Sequence, residues 1–111
     1  MTKPKQGDII LINLDPVKGH EQSGYRPALV VSNSDFNNAS NLFLICPITN
    51  TDRRKPMDIS LKNTKTTGNV LCEHIRAVDL LNRVYKQTGD TVAEETLFQV
   101  IDIIQGAVDV L

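Results

Sequence analysis

Apolar residues fall into short clusters along this chain, separated by polar stretches dense in Gly, Pro, Asn and Asp. The first cluster, Asp8-Ile9-Ile10-Leu11-Ile12-Asn13-Leu14, is rich in β-branched side chains and closes at the turn dipeptide Asp15-Pro16, so it reads as a strand. Its apolar side chains point to both faces, so it should be covered on both sides or form part of a closed barrel. Arg26 to Ser32 reads as a second strand and Leu42 to Thr49 as a third. Pro47 removes a ladder donor, which predicts a sheet edge or a bulge near the end of that third strand. Residues 33–41 are crowded with turn formers, with room for a single helical turn and with Phe36 as the expected anchor into the core. Shorter strands are expected at Met57–Leu61, once or twice within Asn69–Asp79, and at Arg83–Gln87, the last ended by Gly89-Asp90.

The C-terminal segment changes period. Leu97, Val100, Ile101, Ile104, Val108 and Leu111 recur at three- and four-residue steps, which predicts an amphipathic helix. Thr91 and Glu94 have capping-box spacing, and Glu94 and Glu95 suit the positive end of a helix dipole. Phe98, Ile103 and Val110 fall off the main stripe, so a second covered surface is expected, with Gly106 marking close packing. Many short strands followed by one terminal helix predict a mainly β protein: a small, bent antiparallel sheet or barrel with the helix packed on it.

Composition narrows the function classes. A chain of 111 residues with 41% apolar and 23% charged residues is one globular domain, spanning Met1–Leu111. A net charge of −1 provides no global attraction to nucleic acid, so any polyanion site has to be a local basic patch. The N-terminal residues lack the apolar region of a signal peptide, and no apolar run approaches ~18 residues, so a cytoplasmic, membrane-free protein is expected. Cys46 and Cys72 each lie inside an apolar run and read as buried thiols in a reducing compartment. Two Cys and two scattered His do not have zinc-ligand spacing, so no metal is expected.

The stretch richest in chemistry is Gly19-His20-Glu21-Gln22-Ser23-Gly24-Tyr25-Arg26-Pro27, a polar loop that runs into the second strand. Pro27 biases Arg26 toward extended geometry, so the guanidinium projects from a stiffened dipeptide. Together with Gly7-Asp8-Ile9, Leu14-Asp15-Pro16, Cys46-Pro47-Ile48-Thr49 and Val70-Leu71-Cys72-Glu73-His74-Ile75-Arg76-Ala77-Val78-Asp79, this stretch resembles the MazF/PemK family of toxin–antitoxin endoribonucleases. The likeness runs in order over nearly the whole chain. It implies an SH3-like barrel with a C-terminal helix, a homodimer, and metal-independent, sequence-selective cleavage of single-stranded RNA without a cofactor. The implied products are a 2′,3′-cyclic phosphate and a 5′-hydroxyl. The implied partner is a cognate antitoxin whose C-terminal segment covers the RNA site, and through which alone DNA would be bound. Two departures stand out. Leu71 occupies the place of an arginine in the PemK branch, so that branch's catalytic assignment does not carry over and the chain reads closer to the MazF branch. His74 stands where the family often has Gln, a change that bears on base preference.

RNA cleavage by its own 2′-hydroxyl needs a group to take the hydroxyl proton, donors for the charge on phosphorus, and a group to protonate the leaving oxygen. The resemblance implies catalytic roles for Arg26, Thr49, Glu21 and His20. A guanidinium matches phosphate oxygens and holds its protons, which suits Arg26 to electrostatic stabilisation. The Thr49 hydroxyl can donate to a phosphate oxygen. Glu21 serves as a base or orients Arg26; histidine titrates near neutral pH, so His20 can relay protons. The choice of acid and base among Glu21, His20 and Glu73 stays open. Asp15, Tyr25, Glu73, His74 and Arg76 are candidate RNA contacts, as is the run Arg53-Arg54-Lys55; Lys62 and Lys65 extend that basic path. Without the resemblance each is equally a solvated loop or strand residue. Tyr25 is the one aromatic residue in the loop, so base selection should lean on hydrogen bonds rather than stacking. A second reading, from another class, is a non-enzymatic toxin of the same barrel type, like the CcdB gyrase poisons, acting by protein contact.

Overall fold

The computed structural model describes residues 3–14, 24–51 and 55–111. Seven strands and two α-helices follow one another as β1 (Asp8–Asn13), β2 (Tyr25–Val30), α1 (Ser34–Ser40), β3 (Phe43–Thr49), β4 (Asp58–Ser60), β5 (Asn69–Leu71), β6 (Arg76–Val78), β7 (Tyr85–Thr91) and α2 (Glu94–Ala107). Single 3-10 turns at Cys72–His74 and Leu80–Asn82 link β5 to β6 and β6 to β7. The strands pair antiparallel in the order β4-β5-β3-β2-β1-β7, with β6 also on β3. The mainly β, helix-terminated architecture is as expected. The barrel is not closed: β4 and β7 remain the two ends of the ladder among the described residues. β4 is only three residues long, and β7 is polar and mostly exposed, so neither edge offers a long apolar face to the other.

Both faces of the central strands are buried, as the unbroken apolar run of β1 requires. Ile9, Leu29, Val31, Cys46, Ile48, Val70 and Cys72 form one core with Val100 of α2. Ile10, Ile12, Ala28, Val30, Phe43, Ile45, Val78 and Leu80 form another on the opposite face. Alternate side chains of a strand point to opposite faces, so each central strand supplies both cores.

β3 changes partner along its outer edge. Phe43, Leu44 and Ile45 pair with Val78, Ala77 and Arg76, whereas Ile48 and Thr49 pair with Val70 and Asn69. Pro47 falls in the gap between β6 and β5, where a missing N–H costs the ladder least. Neither the sheet edge nor the bulge expected at Pro47 is found: β3 is central and keeps its register with β2, and a change of partner on its outer edge accommodates the proline instead.

Several local expectations are corrected. Residues 34–40 form a two-turn helix capped by Asn33, whose side chain accepts from the Phe36 N–H at 2.9 Å. Phe36 is 38% exposed; the residue that anchors α1 is Asn37, 4% exposed. Ser32 Oγ donates to Asn37 Oδ1, Asn37 Nδ2 donates to the Ser32 carbonyl at 3.4 Å, and Leu44 N donates to Ser32 Oγ at 2.9 Å. A polar residue wins the buried position because it can satisfy these groups where a phenyl ring cannot. Thr91 does not cap α2: it is paired with Asp8 at the end of β7, and the N-cap is Ala93, with no side-chain bond. Gly89 does not end β7. The pairing jumps from Ile9–Asp90 to Ile10–Gln87, and Gly89 at φ +79 lies in the resulting bulge. On α2, Val100 is buried and Leu97, Ile101, Ile103 and Ile104 are half-buried, while Phe98 is exposed, and the helix ends at Ala107, before the exposed Val108, Val110 and Leu111. Gly106 has open space where a Cβ would stand, so it marks no close packing. No described helix is long and apolar enough to cross a membrane.

The Asn37 cluster predicts an asymmetry within α1. Asn37→Ala should cost about 1–3 kcal/mol by leaving buried Ser32 groups unpaired, whereas Phe36→Ala should stay within about 0.5 kcal/mol. Urea unfolding of the two variants measures the difference, and equal losses would contradict this account of α1.

Candidate active site

Register and alternation decide which side chains can meet. On β2, Ala28 and Val30 belong to the second core, so Arg26 lies on the same face, and its partner on β1 is Ile12 of that core. On β3, Phe43 and Ile45 belong to it, which puts Pro47 and Thr49 on that face. On β6, Val78 belongs to it, which adds Arg76, directly opposite Ile45. β2 and β3 pair through Val30–Ile45, Leu29–Cys46 and Ala28–Pro47. That pairing ends at Ala28–Pro47; Arg26 and Thr49 each lie two residues beyond it, Arg26 paired with Ile12 of β1 and Thr49 with Asn69 of β5. The apolar part of this face ends there: Arg26 is exposed and Thr49 half-buried.

The hydroxyl of Thr49 is oriented. Its Oγ1 accepts from the Thr51 N–H at 3.2 Å, so the hydroxyl hydrogen is directed elsewhere and can serve an oxygen of a ligand. Asn50 Oδ1 accepts from Thr67 Oγ1 at 3.0 Å, tying the end of β3 to the turn before β5. Gly68, which the sequence shows only as the end of a threonine-rich turn, is set against the Thr49 carbonyl. No pattern in the sequence signals this contact, because it depends on the β3–β5 register.

Glu73 and His74 occupy the 3-10 turn where β5 hands over to β6, along the edge of β3 between Thr49 and Arg76. Both are exposed, and His74 Nε2 stands 3.7 Å from Glu73 Oε2. Arg76 is exposed and, opposite Ile45, lies about 13 Å back along β3 from Thr49. Tyr25 is half-buried, and alternation sends it to the face of Leu29, away from Arg26. Lys55, Lys62 and Lys65 are exposed on loops. Asp15, His20, Glu21, Arg53 and Arg54 lie outside the described residues.

Cys46 and Cys72 are buried and unbridged in the first core. Burial pushes the Cys46 thiol up to about 12, with Cys72 adding to the effect. Burial also raises Cys72 to about 11, helped by the Asp58 and Glu73 carboxylates. Both therefore stay protonated at neutral pH, where the thiolate nucleophile is absent.

Comparisons with known proteins place these features in context. A family model described as PemK-like, MazF-like toxin of type II toxin–antitoxin system matches residues 5–107. The endoribonuclease toxin MazF of Escherichia coli (strain K12) is 30% identical over 108 residues, covering 97% of this chain and 93% of its own length. The endoribonuclease toxin ChpB of the same strain is 36% identical over 110 residues, covering 91% and 94%. Among solved structures, MazF from Deinococcus radiodurans superposes with a TM-score of 0.79 at 30% identity and covers 94% of each chain. A MazE–MazF structure from that organism has a TM-score of 0.81 at 28% identity, again with 94% of each chain covered.

The raised cysteine pKa values predict a loss of stability in alkali. Below pH 9, the ordinary thiol value, both states are protonated and the native contribution is intact. Above it the unfolded chain releases protons that the native one keeps, so stability falls as pH rises toward 11 and 12. Each cysteine contributes a slope of up to about 1.4 kcal/mol per pH unit. Urea titrations from pH 8 upward, repeated on a Cys46→Ala/Cys72→Ala variant, should show that slope only in the parent; identical profiles would contradict it.

Proposed function

The chain belongs to the PemK-like, MazF-like toxin family of type II toxin–antitoxin systems, and from that premise we propose a cleavage site for single-stranded RNA centred on Arg26 and Thr49. The chain is a toxin endoribonuclease, as its curated relatives are. One observation supports the proposed site: alternation along β2 and β3 assigns Arg26 and Thr49 to the same sheet face, each two residues beyond the last β2–β3 pair, Ala28–Pro47.

In the proposed reaction the RNA 2′-oxygen attacks the adjacent phosphorus. A 2′-O–P bond forms, the P–O5′ bond breaks, and the products are a 2′,3′-cyclic phosphate and a 5′-hydroxyl. The Arg26 guanidinium neutralises charge on the non-bridging oxygens, and the Thr49 hydroxyl donates to one of them. Glu21, His20 and Glu73 are the candidates for taking the 2′-hydroxyl proton and for supplying one to the leaving oxygen. Arg76 and the lysines Lys55, Lys62 and Lys65 hold the backbone to either side. Glu73 and His74 lie beside that path, where a carboxylate can accept from an exocyclic amine of a base. No step calls for a metal. The active form is a homodimer in the cytoplasm, and its protein partner is a cognate antitoxin, as MazE is for MazF in the D. radiodurans structures. The reading as a gyrase poison is not favoured, because the curated relatives are endoribonucleases.

Purified protein incubated with a long single-stranded RNA in excess EDTA should cut it and leave cyclic phosphate ends. Arg26→Ala and Thr49→Ala should each lower kcat about 100-fold or more, and Thr49→Ser should keep most of the activity. Cleavage that requires added metal, or an Arg26→Ala variant as fast as the parent, would overturn the mechanism.

A further inference from the structure

We propose that Gly68 and Asp90 are positioning residues for the Thr49 hydroxyl, acting through the turn behind the end of β3; the catalytic consequence rests on the reading of Thr49 as a phosphate contact. Gly68 has φ +124, a conformation open to glycine and closed to side chains, and a Cβ there would stand 2.5 Å from the Thr49 carbonyl oxygen and 2.9 Å from its carbon. Those are backbone atoms, so no flexible group can swing away. To restore van der Waals distance the Thr49 backbone would have to move by about 1 Å.

Asp90 secures the other end of the same turn. Its Oδ2 accepts from the Thr66 N–H at 2.7 Å, and Thr64 Oγ1 donates to the Thr66 carbonyl at 2.6 Å. Thr67 Oγ1 then bonds Asn50 at 3.0 Å, the Gly68 carbonyl accepts from Leu61 N at 2.9 Å, and Asn69 pairs with Thr49. Asp90 is itself aimed by the β7 bulge, where Thr88 Oγ1 donates to the Ile9 carbonyl at 2.6 Å and accepts from Asp90 N at 3.0 Å. A set of bonds thus runs from β7 through residues 64–69 to the Asn50 side chain and to the Thr49–Asn69 strand pair. The tightness of that set fixes where the hydroxyl points.

Gly7 provides an internal control. It too has a left-handed φ, +95, but a Cβ there would meet nothing closer than Leu97 at 3.8 Å. Gly7→Ala therefore carries the backbone strain of Gly68→Ala without the clash. The experiment measures RNA cleavage and the hydrogen exchange of the Thr51 N–H, which is bonded to Thr49 Oγ1, in both variants and in Asp90→Ala and Asp90→Asn. Gly68→Ala should lower kcat about 100-fold with KM within about twofold, and should speed Thr51 exchange. Gly7→Ala should lose thermal stability but keep kcat and Thr51 protection. Asp90→Ala should lose about tenfold in kcat, and Asp90→Asn, which keeps an acceptor oxygen, should recover most of it. Unchanged Thr51 exchange in Gly68→Ala and Asp90→Ala would overturn the proposal, as would equal kcat losses in Gly68→Ala and Gly7→Ala. If Gly68→Ala does not fold, the Asp90 pair decides. The exchange arm reads positioning alone, so a parent protein without cleavage would refute the nuclease site and leave this measurement decisive.

Discussion

One strand, β3, is shared between two partners on a single edge, and the rest of the molecule follows from that division. Its first half pairs with β6 and its last two residues with β5, with Pro47 at the changeover. Because β2 runs along the other edge, the register of three neighbours is fixed by seven residues of one strand. A slip of one residue would turn Thr49 to the α2 side and bring Ile48 out, exchanging the members of the two cores. Burial of Ile45 and Cys46 on opposite faces makes such a slip costly. The same packing that stabilises the sheet therefore decides that Arg26, Thr49 and Arg76 share a face.

The two cores divide the labour. The core beneath α2 holds both cysteines and the helix, and alternation along β2 sends Tyr25 toward it. The other is apolar through most of its length and gives way to charged and hydroxyl groups where β2 begins and β3 ends. A phosphate bound there would sit against a rigid, dehydrated floor, which strengthens its interaction with a guanidinium relative to water.

How much of this is legible in the sequence varies with how local the cause is. β1, β2, β3 and α2 stand out because apolar periodicity is a local property, and Arg26 and Thr49 stand out because each lies in a distinctive string of residues. The errors have a common origin in competition between elements. Thr91 and Glu94 have the spacing of a capping box, but the pairing of Thr91 with Asp8 takes the threonine into β7. Gly89 has the chemistry of a terminator, but β1 offers enough pairing to carry β7 past it as a bulge. Phe36 is the apolar residue of its segment, but Asn37 can bond Ser32 and so claims the interior. Gly68 is an ordinary turn glycine until the β3–β5 register sets it against Thr49.

In the proposed site a guanidinium on β2 and a hydroxyl on β3 serve one phosphodiester. A crystal structure with an RNA carrying 2′-fluoro at the cleavage position, which removes the nucleophile and preserves the fold of the strand, tests it directly. The Arg26 guanidinium and Thr49 Oγ1 should both lie within about 3 Å of oxygens on the phosphate whose bond is otherwise cut. Binding of these two groups to different phosphates, or an RNA seated over the α2 face, would contradict it.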